Sequence, residues 1–222
     1  MIGFVLIAIC FVLSLFVLYI LVKHDFVLAR KSLLLQEIFD TTILGFLAFF
    51  TTARVLYAVS VMDMGLFNPL RFFHILRFPG ALFLGGLLGF WVVIYLVFKK
   101  KKILMRLYDI YALSLFPLFV CTLALSYNRG YFLYFNLLIL LLSFLFMGIG
   151  IYSYKNYTLK DGSTAFLFVC LVTVFTIISE FSANSKVIFL SLTIPQIVSV
   201  GVFLGFSALL LIHEGIVKTH KK

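Results

Sequence analysis

Long stretches without a charged side chain are the feature that most constrains what this chain can fold into. Six stretches contain no Asp, Glu, Lys or Arg: Met1–Val22, Phe78–Phe98, Ile110–Asn128, Gly130–Tyr154, Gly162–Ser179 and Val187–Ile212. A seventh stretch, Thr41–Met62, is interrupted once, by Arg54. A helix of about 20 apolar residues crosses the hydrocarbon core of a bilayer. The sequence therefore predicts seven membrane-spanning helices.

The composition excludes a soluble enzyme domain as the main body of the protein. Hydrophobic residues make up 64% of the chain and charged residues 12%, whereas soluble domains carry about 25% charged residues. The apolar runs lack the alternation of a membrane β-barrel. We expect an all-α integral membrane protein with one domain over residues 1–222. The predicted spans are residues 3–22, 41–62, 79–98, 108–128, 131–153, 163–182 and 188–212.

The basic residues predict the orientation of the bundle. The connections after odd-numbered spans hold 13 Lys and Arg residues, against 4 after even-numbered spans. Basic residues favour cytoplasmic loops, so we expect the N-terminus outside and the C-terminus in the cytoplasm. The first run lacks the basic start and the cleavage motif of a signal peptide and is interpreted as a retained helix. The net charge of +10 is spread over short loops, so we expect no nucleic-acid partner.

The three cysteines give no sign of a metal or redox site. Cys10, Cys121 and Cys170 each lie inside an apolar run, without the spacing of metal ligands. An odd number of cysteines also argues against a disulfide framework. We expect no metal and no cofactor.

Two ionisable residues are predicted to lie at membrane depth. Arg54 falls about 21 Å beyond Asp40 along the second span, and Glu180 about 27 Å beyond Gly162 along the sixth, at 1.5 Å per residue. An ionisable residue in a span is costly and is by default a candidate for a functional site. Their signs and depths predict that Arg54 and Glu180 pair. Tyr57, one turn from Arg54, extends the polar patch, and a purely structural ion pair is the alternative.

Two glycine pairs have the G-x-x-x-G spacing that lets membrane helices approach closely. They are Gly85 with Gly89 and Gly201 with Gly205. For both pairs, simple helix packing is the first interpretation.

Three further residues predict local features of the helices. Pro195 is expected to kink the last span. Asp40 and Asp109 are expected to stabilise the starts of their own helices, where a negative charge favours the helix dipole.

Five short segments, taken in order, resemble those of the prolipoprotein diacylglyceryl transferases. The family's G-A-R-L-G-Y is similar to the segment that ends in Ala53–Tyr57, its N-F-I-N-G-E to Ser126–Tyr131, and its L-S-M-G-Q-I-L-S to Leu192–Ser199. The glycine-rich stretch Gly80–Gly89 is followed by a basic loop and Asp109, and Asp161–Gly162 leads to Glu180. The resemblance covers roughly residues 36–212.

This resemblance implies a multi-pass enzyme of the bacterial cytoplasmic membrane. The family transfers a diacylglyceryl group from phosphatidylglycerol to the lipobox cysteine of a preprolipoprotein signal peptide, without a metal or soluble cofactor. Arginine suits the lipid phosphate because its planar guanidinium donates two parallel hydrogen bonds. The site residues implied are, for lipid binding, Arg54, Tyr57, Gly85 and Gly86 and, for catalysis, Glu180, which would orient Arg54. Arg129, which is also predicted to lie toward the outside, is our own candidate for a second contact with the lipid phosphate.

The sequence departs from the family at several signature positions. The residues that stand there are Leu84 for a histidine, Leu123 and Thr176 for arginines, Ser126 and Arg129 for asparagines, and Tyr131 for a glutamate. A catalytically inactive subunit of the same fold that binds lipid or a signal peptide, with or without a membrane protein partner, is the alternative. An ion or proton path through Arg54 and Glu180 is the third hypothesis.

Overall fold

The computed structural model describes residues 2–31, 33–61, 82–101, 103–127, 133–156, 158–181 and 193–215, with the side chains of 2–7, 61, 123–127, 133–140, 142 and 179–181 left undescribed. The described residues form eight α-helices. These are α1 (Ile2–Lys23), α2 (Phe26–Arg30), α3 (Leu35–Val61), α4 (Phe83–Phe98), α5 (Leu104–Tyr127), α6 (Leu133–Asn156), α7 (Ser163–Phe181) and α8 (Ile194–Glu214). The prediction of an all-helical chain is confirmed for these residues.

Within the described ranges, three segments are long and apolar enough to cross a membrane: Leu35–Ser60, Leu104–Thr122 and Ile194–Glu214. Shorter apolar segments of the described chain are Ala8–Lys23, Phe83–Phe98 and Ser163–Ile178. Large apolar side chains such as Val12 and Leu204 lie exposed on these helices. In water such surfaces would be unfavourable, whereas acyl chains would cover them. The helices therefore fit a multi-pass membrane protein.

Helix α5 lies at the centre of the described helices. It packs against α1, α4, α6 and α7, while α3 packs on α4 and α8 on α7. Phe119 of α5 is fully buried, and the ring centres of Phe83, Phe168 and Phe175 lie 5.4, 5.8 and 5.5 Å from the centre of its own ring. Such edge-on and tilted aromatic pairs add to the stabilisation from burial. The abundant phenylalanines thus join α4, α5 and α7.

Polar contacts gather seven helix termini at one end of the bundle, which we name the basic end. The C-terminal ends of α1, α4, α6 and α8 meet the N-terminal ends of α3, α5 and α7 there. Contacts that join these ends include Lys101 with Glu37, Arg106 with Asp25 and Tyr154 with Asp25, and the Lys160 N–H with Glu214. Among the described elements, consecutive long helices therefore alternate in direction.

The two glycine pairs have different surroundings. A Cβ atom added at Gly89 would lie 2.6 Å from Cγ2 and 2.8 Å from Cβ of Thr52 on α3. No heavy atom lies within 4 Å of a Cβ built at Gly201 or Gly205. Close helix packing is confirmed for Gly89, whereas no described neighbour packs on the Gly201 and Gly205 face.

Because of this difference, replacement by alanine should change the stability of the protein in different ways at Gly89 and at Gly201. Gly89→Ala should destabilise the protein by about 1–3 kcal/mol, the usual effect of overpacking, because Cβ of Thr52 cannot move without its backbone. Gly201→Ala should be neutral or stabilising by up to about 1 kcal/mol, since alanine favours helix. Thermal unfolding of both variants in the same detergent checks the prediction. Equal unfolding temperatures would contradict it.

Three local expectations need correction. Pro195 is not at a kink but in the first turn of α8, where proline needs no N–H donor. Asp40 is not at a helix start, because α3 begins at Leu35. Asp109 lies inside α5, which begins at Leu104, and its carboxylate accepts hydrogen bonds from α7 instead.

Candidate functional site

Arg54 is buried near the far end of α3, away from the basic end. It lies about 28 Å along the helix from Leu35, at 1.5 Å per residue, and its residue surface is 2% exposed. Its guanidinium carbon lies 6.0 Å from the centre of the Tyr57 ring, within the range of a cation–π interaction. The predicted neighbourhood of Arg54 and Tyr57 is therefore present in the structure.

Helix α4 begins beside Arg54. The backbone N–H of Leu82 donates a 3.1 Å hydrogen bond to the carbonyl of Ala53, the residue before Arg54. Leu82 is also the N-cap of α4, and no side chain accepts a hydrogen bond at this cap. The contact therefore fixes the start of α4 against α3 at the residue before Arg54.

Gly85 and Gly86 lie in the first turn of α4 and face α3. A Cβ atom at Gly85 would lie 2.6 Å from Cδ1 of Leu56, and one at Gly86 would lie 2.7 Å from the ring of Phe49. Both glycines thus let α4 approach α3 closely around Arg54. A direct contact of either glycine with lipid stays a prediction.

Two positions where the family carries ionisable side chains are neutral here. Leu84 is a buried apolar residue of α4. Thr176 of α7 is buried, and its hydroxyl donates a 2.9 Å hydrogen bond to the Val172 carbonyl of its own helix. Neither side chain can exchange a proton near neutral pH, so neither position supplies an acid or a base.

The far end of α7 lies against the start of α8. Thr193 and Gln196 form a capping box at the start of α8, and Nε2 of Gln196 donates a 3.3 Å hydrogen bond to the carbonyl of Ile177. Glu180 follows in α7, but its side chain is outside the described residues, as is the whole of Arg129. The pairing of Arg54 with Glu180 and the lipid contact of Arg129 stay predictions.

Comparison with protein-family models, curated proteins and solved structures finds no match for this chain.

The basic end holds a buried ion pair that the sequence did not reveal. The side chains of Asp25 and Arg106 are 0% and 4% exposed. Oδ2 of Asp25 accepts hydrogen bonds from Nε of Arg106, at 2.9 Å, and from the hydroxyl of Tyr154. Its Oδ1 accepts from the backbone N–H groups of Val27 and Leu28, at 2.8 and 3.1 Å. The carboxylate is therefore fully surrounded by donors.

Arg106 extends this ion pair to two further elements. Its guanidinium carbon lies 3.7 Å from the centre of the Tyr154 ring, and its Nη1 donates a 3.1 Å hydrogen bond to the half-exposed carboxylate of Asp161. We name Asp25, Arg106, Tyr154 and Asp161 the buried ionic cluster. It joins the α1–α2 connection to α5, α6 and the start of α7, so its role in the structure is to hold these elements together.

Asp109 stabilises the start of α7 from within α5. Its Oδ2 accepts a 2.6 Å hydrogen bond from the N–H of Gly162, and its Oδ1 accepts a 2.8 Å bond from the N–H of Ala165. These are backbone donors that a helix start cannot satisfy within the helix. Gly162 has a φ of +101°, which glycine adopts without strain. The sequence drew attention to Asp109 because an Asp lies there inside a predicted span. We expected it to stabilise the start of its own helix, whereas it stabilises the start of α7.

Proposed function

We propose that this protein binds phosphatidylglycerol through Arg54 and is a membrane protein of the prolipoprotein diacylglyceryl transferase type. The observation that carries the proposal is a guanidinium that is 2% exposed inside an apolar helix, at the end of α3 opposite the basic end. A buried charge in a span is costly and marks functional sites. Arg54 is therefore distant from the basic end, whose Lys and Arg residues are of the kind that orients a chain in the bilayer.

The chemistry of arginine selects the ligand. A guanidinium forms strong paired hydrogen bonds with phosphate oxygens, and these bonds gain strength away from water. Tyr57 lies beside Arg54 and contributes an aromatic face. Helix α4 packs closely on α3 at Gly85 and Gly86, which limits the movement of the two helices at this end. We infer that a single phosphodiester headgroup reaches Arg54 from the adjoining leaflet, with its acyl chains along α3 and α4.

The proposal includes the topology that the sequence predicts. The chain would cross a bacterial cytoplasmic membrane seven times, with its N-terminus outside and the basic end in the cytoplasm. Arg54 would then lie in the outer half of the membrane. Glu180 lies about 26 Å along α7 from Ser163, at 1.5 Å per residue, a depth that matches Arg54 and supports its proposed role in orienting the guanidinium.

Transfer of the diacylglyceryl group is the second candidate, and the matched depths of Arg54 and Glu180 favour it. In this reaction a lipobox cysteine forms a carbon–sulfur bond to the glyceryl carbon as the carbon–oxygen bond to the phosphate breaks. Glycerol phosphate leaves and the thiol proton is released. Leu84 and Thr176 supply no acid or base, so we rank binding above transfer. If the protein binds lipid without transfer, it would also bind a signal peptide or a membrane protein partner.

We expect Arg54→Gln to weaken phosphatidylglycerol binding at the Arg54 site by about tenfold or more, since a hydrogen bond to a charged group contributes about 1.5–3 kcal/mol. The variant should therefore carry one tightly bound phosphatidylglycerol fewer than the wild type. Arg54→Lys keeps the charge but loses the paired geometry and should retain part of the binding. The measurement is native mass spectrometry of protein released from nanodiscs that contain phosphatidylglycerol and phosphatidylcholine in equal amounts. Lys99→Gln, an exposed cation at the basic end, is the matched control.

The outcomes separate the two candidates. Equal phosphatidylglycerol in the wild type and Arg54→Gln, with the variant folded by its unfolding temperature, would refute the binding site. A lipobox peptide that gains diacylglyceryl mass above an empty-nanodisc control would establish transfer. Bound phosphatidylglycerol with an unmodified peptide would instead support a protein that binds lipid without turnover.

A further inference from the structure

Helix α2 is a short helix fixed at the surface of the basic end. Its five residues, Phe26–Arg30, begin at the N-cap Asp25, whose Oδ1 accepts hydrogen bonds from the N–H groups of Val27 and Leu28. Leu28 is buried and anchors the helix to the bundle. Because Asp25 also pairs with Arg106, the position of α2 is set by the buried ionic cluster.

The outer face of α2 combines an aromatic ring with basic side chains. Phe26 is 83% exposed, more than any other large apolar residue of the described chain. Arg30 follows one turn later, on the same face as Phe26, and is exposed as well. Together with Val27 and Lys31 these residues line an open cavity of about 380 Å³.

The position of Phe26 differs from that of the other exposed apolar residues. Most of those lie along the long helices, where acyl chains would cover them. Phe26 lies in the α1–α3 connection instead, among exposed cations that include Lys23, Arg30 and Lys31. Apolar and basic side chains on one short surface helix are typical of segments that lie in the membrane interface. Anionic headgroups attract such cations by about 1 kcal/mol per Lys or Arg.

We propose that α2 is a binding site for anionic phospholipid at the membrane surface. Phe26 inserts between the acyl chains, and Arg30 and Lys31 contact the headgroup phosphate at the cavity that they line with Val27. The charge of the cavity selects anionic over zwitterionic lipid. This site lies at the opposite end of α3 from Arg54 and does not depend on the function proposed for Arg54.

The test uses a tryptophan in place of Phe26 as a local reporter. The chain contains a single Trp, Trp91, which is buried and gives a constant background. Full-length Phe26→Trp protein is placed in nanodiscs in which either phosphatidylglycerol or phosphatidylcholine carries bromine on its acyl chains. We expect quenching by both lipids and stronger quenching by brominated phosphatidylglycerol at equal mole fraction.

Charge variants in the Phe26→Trp background test the selectivity. Arg30→Gln should lower the preference for phosphatidylglycerol roughly fivefold, the ratio that corresponds to about 1 kcal/mol. Lys100→Gln, an exposed cation on the α4–α5 connection of the same end, should leave the preference unchanged. Inorganic phosphate added at constant ionic strength should also leave it unchanged.

Four results would overturn the proposal. If neither brominated lipid quenches the Trp fluorescence, water or a protein covers α2. If the two lipids quench it equally, the cavity has no charge selectivity. An equal loss in Arg30→Gln and Lys100→Gln would assign the effect to the overall charge of the basic end. Loss on addition of inorganic phosphate would make free phosphate, and not the lipid surface, the ligand.

Discussion

Replacing Arg106 with alanine is expected to destabilise the folded protein by about 3–5 kcal/mol, the usual cost of removing one partner of a buried ion pair. Asp25 is 0% exposed, so its charge would remain in the interior without the guanidinium 2.9 Å away. The variant would also lose the contact of the guanidinium with the Tyr154 ring and its hydrogen bond to Asp161. We expect the unfolding temperature to fall by roughly 10 °C.

The control is an ion pair at the same end of the bundle that is open to solvent. Lys101 and Glu37 lie 2.7 Å apart, but their side chains are 43% and 45% exposed. Lys101→Ala should therefore change stability by less than about 1 kcal/mol. Both variants are measured by thermal unfolding in one detergent at one salt concentration. If Arg106→Ala and Lys101→Ala unfold at the same temperature, the buried ionic cluster does not hold the bundle together.

Asp109→Ala is the second substitution with a large expected effect, about 2–4 kcal/mol. It would leave the N–H groups of Gly162 and Ala165 without their acceptors, and a buried donor that lacks a partner costs about 1–3 kcal/mol. Asp109→Asn keeps one acceptor oxygen at nearly the same volume and should lose less. Asp40→Ala, which removes an exposed carboxylate from α3, should leave stability almost unchanged.

The effect of Asp109 has a local signature besides global stability. In Asp109→Ala the amides of Gly162 and Ala165 should exchange with deuterium faster than in the wild type, while amides in the middle of α3 keep their rates. Hydrogen exchange measured by mass spectrometry on peptides from these segments detects the difference. Unchanged exchange at the start of α7 would show that other acceptors or water replace the carboxylate.

The two ends of the bundle thus differ in their polar chemistry. At the basic end, Asp25, Arg106 and Asp109 have partners on other helices, which is typical of structural groups whose loss destabilises the fold. Near the far end, Arg54 lies beside Tyr57 and the first turn of α4. This contrast is the reason that stability tests are directed at Arg106 and Asp109 and lipid-binding tests at Arg54.

The charge-free stretches predicted the long helices but not the first turns of two of them. The second span was predicted to begin at residue 41, yet α3 begins at Leu35, and α5 begins at Leu104 where the fourth span was predicted from residue 108. Charge marks the depth at which a helix leaves the hydrocarbon. The helix itself continues into the interface, where polar residues such as Glu37 are readily solvated.

Candidate residues close together in sequence were found from sequence, since helical geometry fixes neighbours one turn apart. Arg54 and Tyr57 are such a pair, and their contact follows from their spacing. The partner of Asp25 could not be found this way, because Arg106 is 81 residues away. In the sequence, Arg106 could not be distinguished from the other basic residues near the ends of spans.

The sequence by itself determined that the chain is helical and apolar, with a buried arginine in its second predicted span. Only the tertiary structure decided which polar residues pair, which glycine pair packs against a neighbour, and that Asp109 serves α7. The physical reason is the range of the forces involved. Hydropathy and helical periodicity act over one or a few turns, whereas a hydrogen bond needs two groups within about 3 Å, wherever they lie along the chain.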